Sequence, residues 1–496
     1  MINPNDQLNG RVAVVRTNCY SYPHMKYKYA PSKHYPEYSW NDLSPENNEV
    51  YDMVREALHL YGLDENNYGR KEWNPFKTII HKGDTVLVKP NWVMHYNEKG
   101  NAGIECLYTN TSITRAIVDY VAIALSGTGR IIVADSPMPD CDFNIFSEKA
   151  GLKVLQKSCQ ERGISISIRD LRGDVVHTFS KEKINVSGAS GTEINIGNES
   201  YFSEKEVPDG HLRYSFLDAH RMNEYYHTKQ DHIYVISDSA LEADVIINLP
   251  KIKTHRKAGY TAALKNYIGI CYKKDAIPHF VKGNTKEGGD EYNGPKIVFE
   301  LESNIRDIEN KYEAAQKRMV GLALKALRTP FWLYRRLFAK QYQGIGNWHG
   351  NDTIWRAVLD INSIIYYSNK RGQLQNRIQR RFFSLGDMII AGQRNGPLSP
   401  EPKSCGTIIC SEDPIAFDKV VTTMMGFNAY EIPIIKGIGK DKLYGLPIVK
   451  DELIFIVSND SEINGKTLQN LVCAFDRPFL PADGWEKILF ENGAKK

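Results

Sequence analysis

The sequence lacks the simplest signatures of several large function classes. No CxxC pair occurs among its eight cysteines (19, 106, 141, 159, 271, 405, 410 and 473), which argues against a zinc ribbon, a thioredoxin-like site and a ferredoxin-type cluster. Eight scattered cysteines in 496 residues do not make a disulfide scaffold either, so reduced thiols in a cytoplasmic setting are expected. The sequons at Asn110, Asn185 and Asn198 then carry no meaning. No run of about 18 apolar residues is present, so no transmembrane helix is expected. The opening MINPNDQLNG has no basic stretch followed by an apolar one, so a secretory signal is not expected. A dominant charge is also missing. Lys and Arg total 63 against 59 Asp and Glu, a formal +4, so no nucleic-acid partner is expected. There is no GxxxxGK[ST] loop, no GxGxxG Rossmann fingerprint, no HExxH and no GxSxG. The histidines at 211, 220, 227, 232 and 255 do not fall at a zinc spacing.

What is present is an ordinary globular composition, 42% hydrophobic and 25% charged, able to bury a large core. Apolar runs alternate with helical periodicity. Arg11–Arg16, Thr85–Val88, Arg130–Ala134, Ile164–Ile168, Ala243–Leu249, Arg381–Asp387, Cys405–Cys410 and Leu453–Val457 read as strands. Asn48–Tyr61, Ser112–Leu125, Phe143–Arg162, Tyr260–Gly269, Asn351–Ser368 and Asp413–Met425 read as helices, the last opened by an Asp-Pro cap. Strands apolar on both faces and separated by helices predict an α/β fold: a mostly parallel sheet with helices on both faces. Residues 174–232, richer in Gly, Ser and Asn, predict an antiparallel excursion. Residues 280–347 predict a helical insertion that is basic and amphipathic. There Val320, Leu324, Leu327, Phe331, Tyr334 and Phe338 form one stripe beside an arc of Arg318, Lys325, Arg328, Arg335 and Arg336, and Pro330 is expected to kink the helix. The stripe suits packing on the α/β core with the arc in water. The alternative is an interfacial helix, in which residues 317–340 would meet an anionic membrane surface.

The polar residues gather where strands end. In open α/β sheets ligands bind beyond the carboxyl ends of the strands. LPKIKTHRKAGYTAALKNYIG follows one such strand. If the chain stays extended, Lys251, Lys253 and His255 alternate onto one face, with Lys265 and Asn266 on the next helix. Such a group favours a small carboxylate or phosphate, and a crowded lysine serves as base or amine nucleophile. Lys89 and Asn91, Asp135, and Asp170 follow other strands. Asp135 is a candidate base or metal ligand, and Asp142 a candidate ligand beside it. Asp387 ends a further strand, and the AGQRNGP that follows describes a tight loop in which Asn395 and Gly396 would present polar groups to a ligand. In GNDTIWR, Asp352 and Arg356 either pair on one helix face, or Arg356 clamps an oxyanion while Asp352 ligates a metal. Asp413 reads as a helix cap.

Together VKPNWV (88–93), ADSPMPDCDF (134–143), ADVIINLPKIKTH (243–255), ALKNYIG (263–269), GNDTIWR (350–356), AGQRNGP (391–397) and EDPIAFD (412–418) resemble domain of unknown function family 362, closest to its long branch with the GNDT-type motif. The resemblance implies one large α/β domain over 1–279 and 348–496, where length alone suggests about three domains. It brings no established reaction. Some relatives carry fused ferredoxin-type cysteine motifs, which this chain lacks, and long-branch relatives are associated with surface-polysaccharide synthesis. The expected function is an enzyme on a small anionic substrate, free or linked to a sugar or lipid. Lys251, Lys253, His255, Lys265, Asp135 and Asp387 would be its catalytic groups. Lys89, Asn91, Asn266, Arg356, Asn395 and Gly396 would bind the substrate. A divalent metal on Asp135, Asp142 and Asp352 is the candidate cofactor. The alternatives are a non-catalytic accessory protein at the inner face of a membrane, and a metal- or cluster-linked redox protein using Cys141, Cys271 and Cys405.

Overall fold

The structure, a computed structural model, describes residues 10–176, 183–214, 225–315 and 317–490, without the side chains of residues 314, 318 and 336. His220 lies outside the described residues. Its strands are β1 (Arg11–Arg16), β2 (Thr85–Pro90), β3 (Arg130–Asp135), β4 (Ile166–Asp170), β5 (Asp174–Val176), β6 (Lys183–Asn185), β7 (Gly191–Asn195), β8 (Leu212–Tyr214), β9 (Ile233–Ser237), β10 (Val245–Leu249), β11 (Lys251–His255), β12 (Gly259–Thr261), β13 (Pro278–Val281), β14 (Arg381–Asn395), β15 (Ser399–Ser411) and β16 (Phe455–Ser458).

Strands such as TVLVKP and VIINL are buried along their whole length, which requires cover on both faces. They form the middle of one large mixed sheet, ordered β16-β1-β15-β14-β10-β2-β3-β4. β10 runs parallel to β2 and β14, and β2, β3 and β4 are parallel neighbours. The antiparallel pairs in this sheet are β14 with β15, β1 with β15 and, branching from β14, β11 with β12. Side-chain alternation sorts the strands into two cores. Val86, Val88, Val245 and Ile247 face the helices Glu49–Leu60, Thr111–Leu125 and Leu152–Glu161. Leu87, Ile246 and Ile252 face Ile354–Tyr367 and Pro414–Met424. The fold is therefore α/β, as the patterning predicts. Each large apolar side chain so buried contributes about 1.5–3 kcal/mol.

The antiparallel pairs beyond this sheet are β5 with β6, β7 with β9 and β8 with β13. Three details depart from the sequence reading. Phe143–Arg162 is two helices, Phe143–Lys149 and Leu152–Glu161, because Gly151 takes φ +73° against the Tyr29 hydroxyl. Tyr260–Gly269 is not one helix. It is strand β12, a single turn at Ala263–Asn266 and a 3-10 turn, held in part by the buried Asp418 carboxylate, which accepts from the Tyr260 hydroxyl and the Ala263 and Leu264 amides. AGQRNGP is no isolated loop: residues to Asn395 extend β14, and only the turn into β15 follows.

Residues 296–314 and 318–338 form a helical hairpin. Pro330 lies inside the second helix without ending it. The hairpin reverses the expected packing of its stripe on the α/β core. Arg328 and Arg335 point inward to Glu309 and Glu302 of the first helix, while Leu327 and Phe338 are exposed. No helix among the described residues is long and apolar enough to cross a membrane.

Candidate functional site

The chain leaving β10 turns through Pro250 and continues as β11, parallel to the outer half of β14. This extension carries the lysine-rich segment past the sheet edge. Beyond the ends of β2, β3 and β11 lies a cavity of about 490 Å³, within the range of small-molecule sites. Asn91, Asp135, Lys253, His255, Lys265 and Asn266 line it, together with Asn395. Seven residues singled out at strand ends and loops thus meet in one place.

Two predicted catalytic groups do not reach it. Lys251 and Asp387 are fully buried as an ion pair at 3.1 Å. Tyr22 closes that pair, donating to Asp387 at 2.6 Å and accepting from Lys251 at 2.6 Å. The register between β11 and β14 shifts between Lys251 and Lys253, so the expected single face is divided. Lys89 likewise sits behind the wall, bonded to Asp135 at 2.8 Å, its pKa lowered by burial. Gly269 makes this pair possible, since a Cβ there would fall 1.8 Å from Asp135 Oδ1 and 2.7 Å from Lys89 Nζ. Gly396 packs against the Thr254 carbonyl and does not line the cavity.

Arg356 is not a clamp for an oxyanion. Its guanidinium is spent on Asp352 at 2.9 Å and on the Tyr201 and Asp352 carbonyls. The predicted metal set also separates. Asp142 caps the helix Phe143–Lys149 through the Asn144 and Ile145 amides, Asp352 is held by Arg356 and Lys205, and only Asp135 faces the cavity. Among the described residues no group of three or more His, Cys, Asp and Glu is placed to hold a metal ion. Asp170 pairs with Arg172, which also binds the carbonyls of Met138, Pro139 and Cys141 and so fixes one cavity loop. Asp413 caps its helix as expected.

The structure adds residues the sequence reading missed. Arg213, Tyr214, Lys257, Lys274, His279 and Asp140 line the same cavity. Lys257 and Lys274 continue the run of lysines on either side of Lys265, a spacing signal that was available. His279 had none, since it arrives from the far side on β13.

The electrostatics are unusual. Arg213 is matched by Asp307, and Arg306 by Glu291 and Glu302. The lysines are not matched. Lys253 donates only to Asn91 Oδ1 at 2.7 Å and to the Leu107 carbonyl. Lys257 bonds the Ile345 carbonyl and lies over the Phe280 ring. Lys265 and Lys274 have no hydrogen-bond or ion-pair partner among the described residues. Burial first, then repulsion from Lys251 and Lys265, lowers Lys253 to about 7. Burial, then Lys274 and Lys89, lowers Lys265 to about 7. Burial lowers Lys257 to about 7 and Lys274 to about 8. An ammonium removed from water without a partner is costly, so the cavity is primed for negative charge.

The histidines are complementary. His255 Nδ1 accepts from the Lys257 and Ala258 amides, which leaves the proton on Nε2. His279 Nδ1 faces the Ile277 carbonyl at 2.8 Å, so it must donate, and Nε2 keeps a lone pair. Burial and the surrounding lysines hold His255 well below its ordinary value, and burial with Lys257 lowers His279 to about 3. Both rings are therefore neutral, one a donor and one an acceptor. Five buried polar atoms on the cavity wall also lack partners: Ser136 Oγ, Asp140 Oδ1, Tyr214 OH, Thr261 Oγ1 and Asn266 Oδ1. Buried polar groups are normally satisfied, and a cluster of unsatisfied ones marks a place where a ligand completes the bonding.

No curated protein and no solved structure matches the chain. Residues 204–423 match a family model described as Domain of unknown function (DUF362). The matched segment contains Lys253, His255, Lys257, Lys265, Lys274 and His279, whereas Asn91 and Asp135 lie outside it. The chain thus resembles, over the segment that carries every lysine and histidine of the cavity, the domain of unknown function family 362.

Proposed function

We propose that the protein is an enzyme acting on a small substrate that bears a phosphate or carboxylate, free or linked to a sugar or lipid, and that this chemistry takes place in the lysine-lined cavity. The observation that carries the reading is the coincidence of the Lys265 and Lys274 amines, which have no hydrogen-bond or ion-pair partner among the described residues, with five unsatisfied polar atoms on the same wall. Lys253, Lys265 and Lys274 hold the anion. Asn91, Asn266 and Thr261 orient the remainder of the substrate. His255 donates through Nε2–H, and His279 accepts a proton at Nε2. Lys265, near neutrality when empty, shifts toward the ammonium form as an anion arrives, which couples proton uptake to binding. The surface-polysaccharide association of the long branch fits a sugar phosphate or sugar acid as substrate. A metal-assisted route lacks support, because the three aspartates named for it do not converge. The redox reading lacks it as well, since Cys141, Cys271 and Cys405 do not belong to any group of three or more metal-ligating side chains among the described residues.

Titration calorimetry with inorganic phosphate and with acetate tests the binding step. The expected result is binding of at least one anion at pH 6.5, weakened about tenfold or more in Lys265→Met/Lys274→Met, and weakened in the wild type as pH rises from 7 to 9 and the amines lose their protons. Binding of neither anion, or binding that ignores both substitutions, removes the reading. The enzymatic step is tested by a panel of sugar phosphates and sugar acids. Turnover that survives His279→Gln unchanged would withdraw His279 as proton acceptor.

A further inference from the structure

The helical hairpin 296–338 is built inside out. Between its helices lie charges, Arg328 with Glu309 and Arg335 with Glu302, while Arg306 of the first helix pairs with Glu302 of the same helix and with Glu291 ahead of it. Its apolar side chains point away. In the second helix Met319 (79% exposed), Leu322 (60%), Leu337 (57%) and Phe338 (72%) face outward, with Leu327 and Leu333 also exposed. Plotted on a helix, Met319, Leu322, Ala326, Leu333 and Leu337 fall on one stripe at three- and four-residue spacing. Ile297, Leu301 and Ile308 are exposed on the first helix. Soluble proteins rarely expose contiguous apolar surface of this kind. The inward ion pairs fix the orientation, so the exposed side cannot rotate onto the core without burying unpaired glutamates.

The charge of the same segment says what covers it. Residues 317–340 hold seven Lys and Arg and no Asp or Glu. Two of those cations are used inside the hairpin, while Lys317, Lys325 and Lys340 are exposed. Lys325 flanks the apolar stripe, and Trp332 and Tyr334 stand partly exposed beside it. An apolar face flanked by cations and amphipathic aromatic rings fits the headgroup boundary of a bilayer carrying negative lipids. A protein partner would instead need an acidic apolar surface. The hairpin is also joined to the cavity, whose wall includes Arg306, Asp307 and Asn310 of its first helix and Ile345 and Asn347 just after its second.

We infer that the hairpin docks the protein on an anionic lipid surface, with the apolar face of Arg318–Phe338 in the interface and its flanking cations on the headgroups. The inference does not depend on the reaction in the cavity. The test is flotation of the full chain with vesicles of phosphatidylcholine alone and of three parts phosphatidylcholine to one part phosphatidylglycerol. The expected result is binding to the mixed vesicles only, reduced as salt is raised. Lys325→Ala weakens it about fivefold, the equivalent of about 1 kcal/mol per cation at such a surface, and Leu322→Glu/Leu333→Glu/Leu337→Glu abolishes it. Because these side chains are exposed, the variants keep the wild-type far-ultraviolet circular dichroism and thermal midpoint. No flotation with mixed vesicles overturns the inference. So does a wild type that is dimeric by light scattering and becomes monomeric in the triple variant while neither protein floats, since the face then covers a second copy. Lys265→Met/Lys274→Met separates the two proposals: it loses phosphate binding and still floats.

Discussion

Two buried cationic clusters of this molecule are opposites. Around Arg115, every guanidinium hydrogen has an acceptor: Asp119 takes Nε, Lys28 O and Ser158 Oγ take Nη1, and Tyr38 OH and Asp42 take Nη2, all between 2.8 and 3.0 Å. Arg162 joins the same Asp119 at 2.7 Å, and the net effect of these neighbours is to raise Arg115 despite its burial. In the cavity, Lys265 and Lys274 are largely enclosed but partly exposed, they make no hydrogen bond or ion pair with an acid among the described residues, and desolvation brings their pKa values down to about 7 and about 8. Desolvation acts on both clusters, and compensation does not. A cation that folding requires arrives with its partners. A cation without them destabilises the fold, and the fold tolerates it where a ligand supplies the missing charge.

The largest expected effect breaks the compensated cluster. Arg115→Ala leaves Asp119 buried with only Arg162 and the Tyr51 hydroxyl and should cost about 3–5 kcal/mol, the usual penalty for removing one member of a buried pair. Urea unfolding measures it. A loss under about 1 kcal/mol would mean that water enters the cluster and that the contrast is overdrawn.

The second effect has the opposite sign. Lys265→Met should stabilise the empty protein by about 1–2 kcal/mol near pH 7. The sign follows from proton counting. The folded-state pKa, about 7, lies below the ordinary lysine value of 10.5, so between those values the unfolded chain binds more protons and wild-type stability rises with pH. The destabilisation is complete at and below pH 7 and fades as pH climbs toward 10. The gain from Lys265→Met, read as a shift in thermal midpoint, should therefore be larger at pH 6.5 than at pH 9. A pH-independent gain would point to better packing by methionine and not to relief of a buried charge.

How much of this contrast the sequence displays depends on the range over which it is encoded. The α/β fold and the convergence of Asn91, Asp135, Lys253, His255 and Lys265 are legible, because strand periodicity is local and the ligand end of a parallel sheet is a rule of topology. The pairing of Lys251 with Asp387 and Tyr22 is not. Those residues are far apart in the chain, and a shifted register alone separates Lys251 from Lys253. His279 is invisible for the same reason. The orientation of the 296–338 hairpin was half legible: the basic amphipathic stripe is plain, but the acids that turn its arginines inward, Glu302 and Glu309, sit on the preceding helix. Arg356 and Asp352, four residues apart, were readable as the local pair that they are.

That pair gives the smallest prediction and the sharpest check on how the two kinds of cation are told apart. Arg356 is more deeply buried than Lys265 and Lys274, yet it binds Asp352 and two backbone carbonyls. Asp352 is half exposed, so the ion pair itself is worth little in water, and the loss falls mainly on the hydrogen bond to the Tyr201 carbonyl. Arg356→Gln should cost about 1 kcal/mol in urea unfolding and leave phosphate binding at its wild-type value, because no part of the guanidinium is free to meet an anion. If phosphate binding falls as it does in Lys265→Met/Lys274→Met, compensation does not separate structural from ligand-binding cations, and Arg356 returns to the site as an oxyanion clamp.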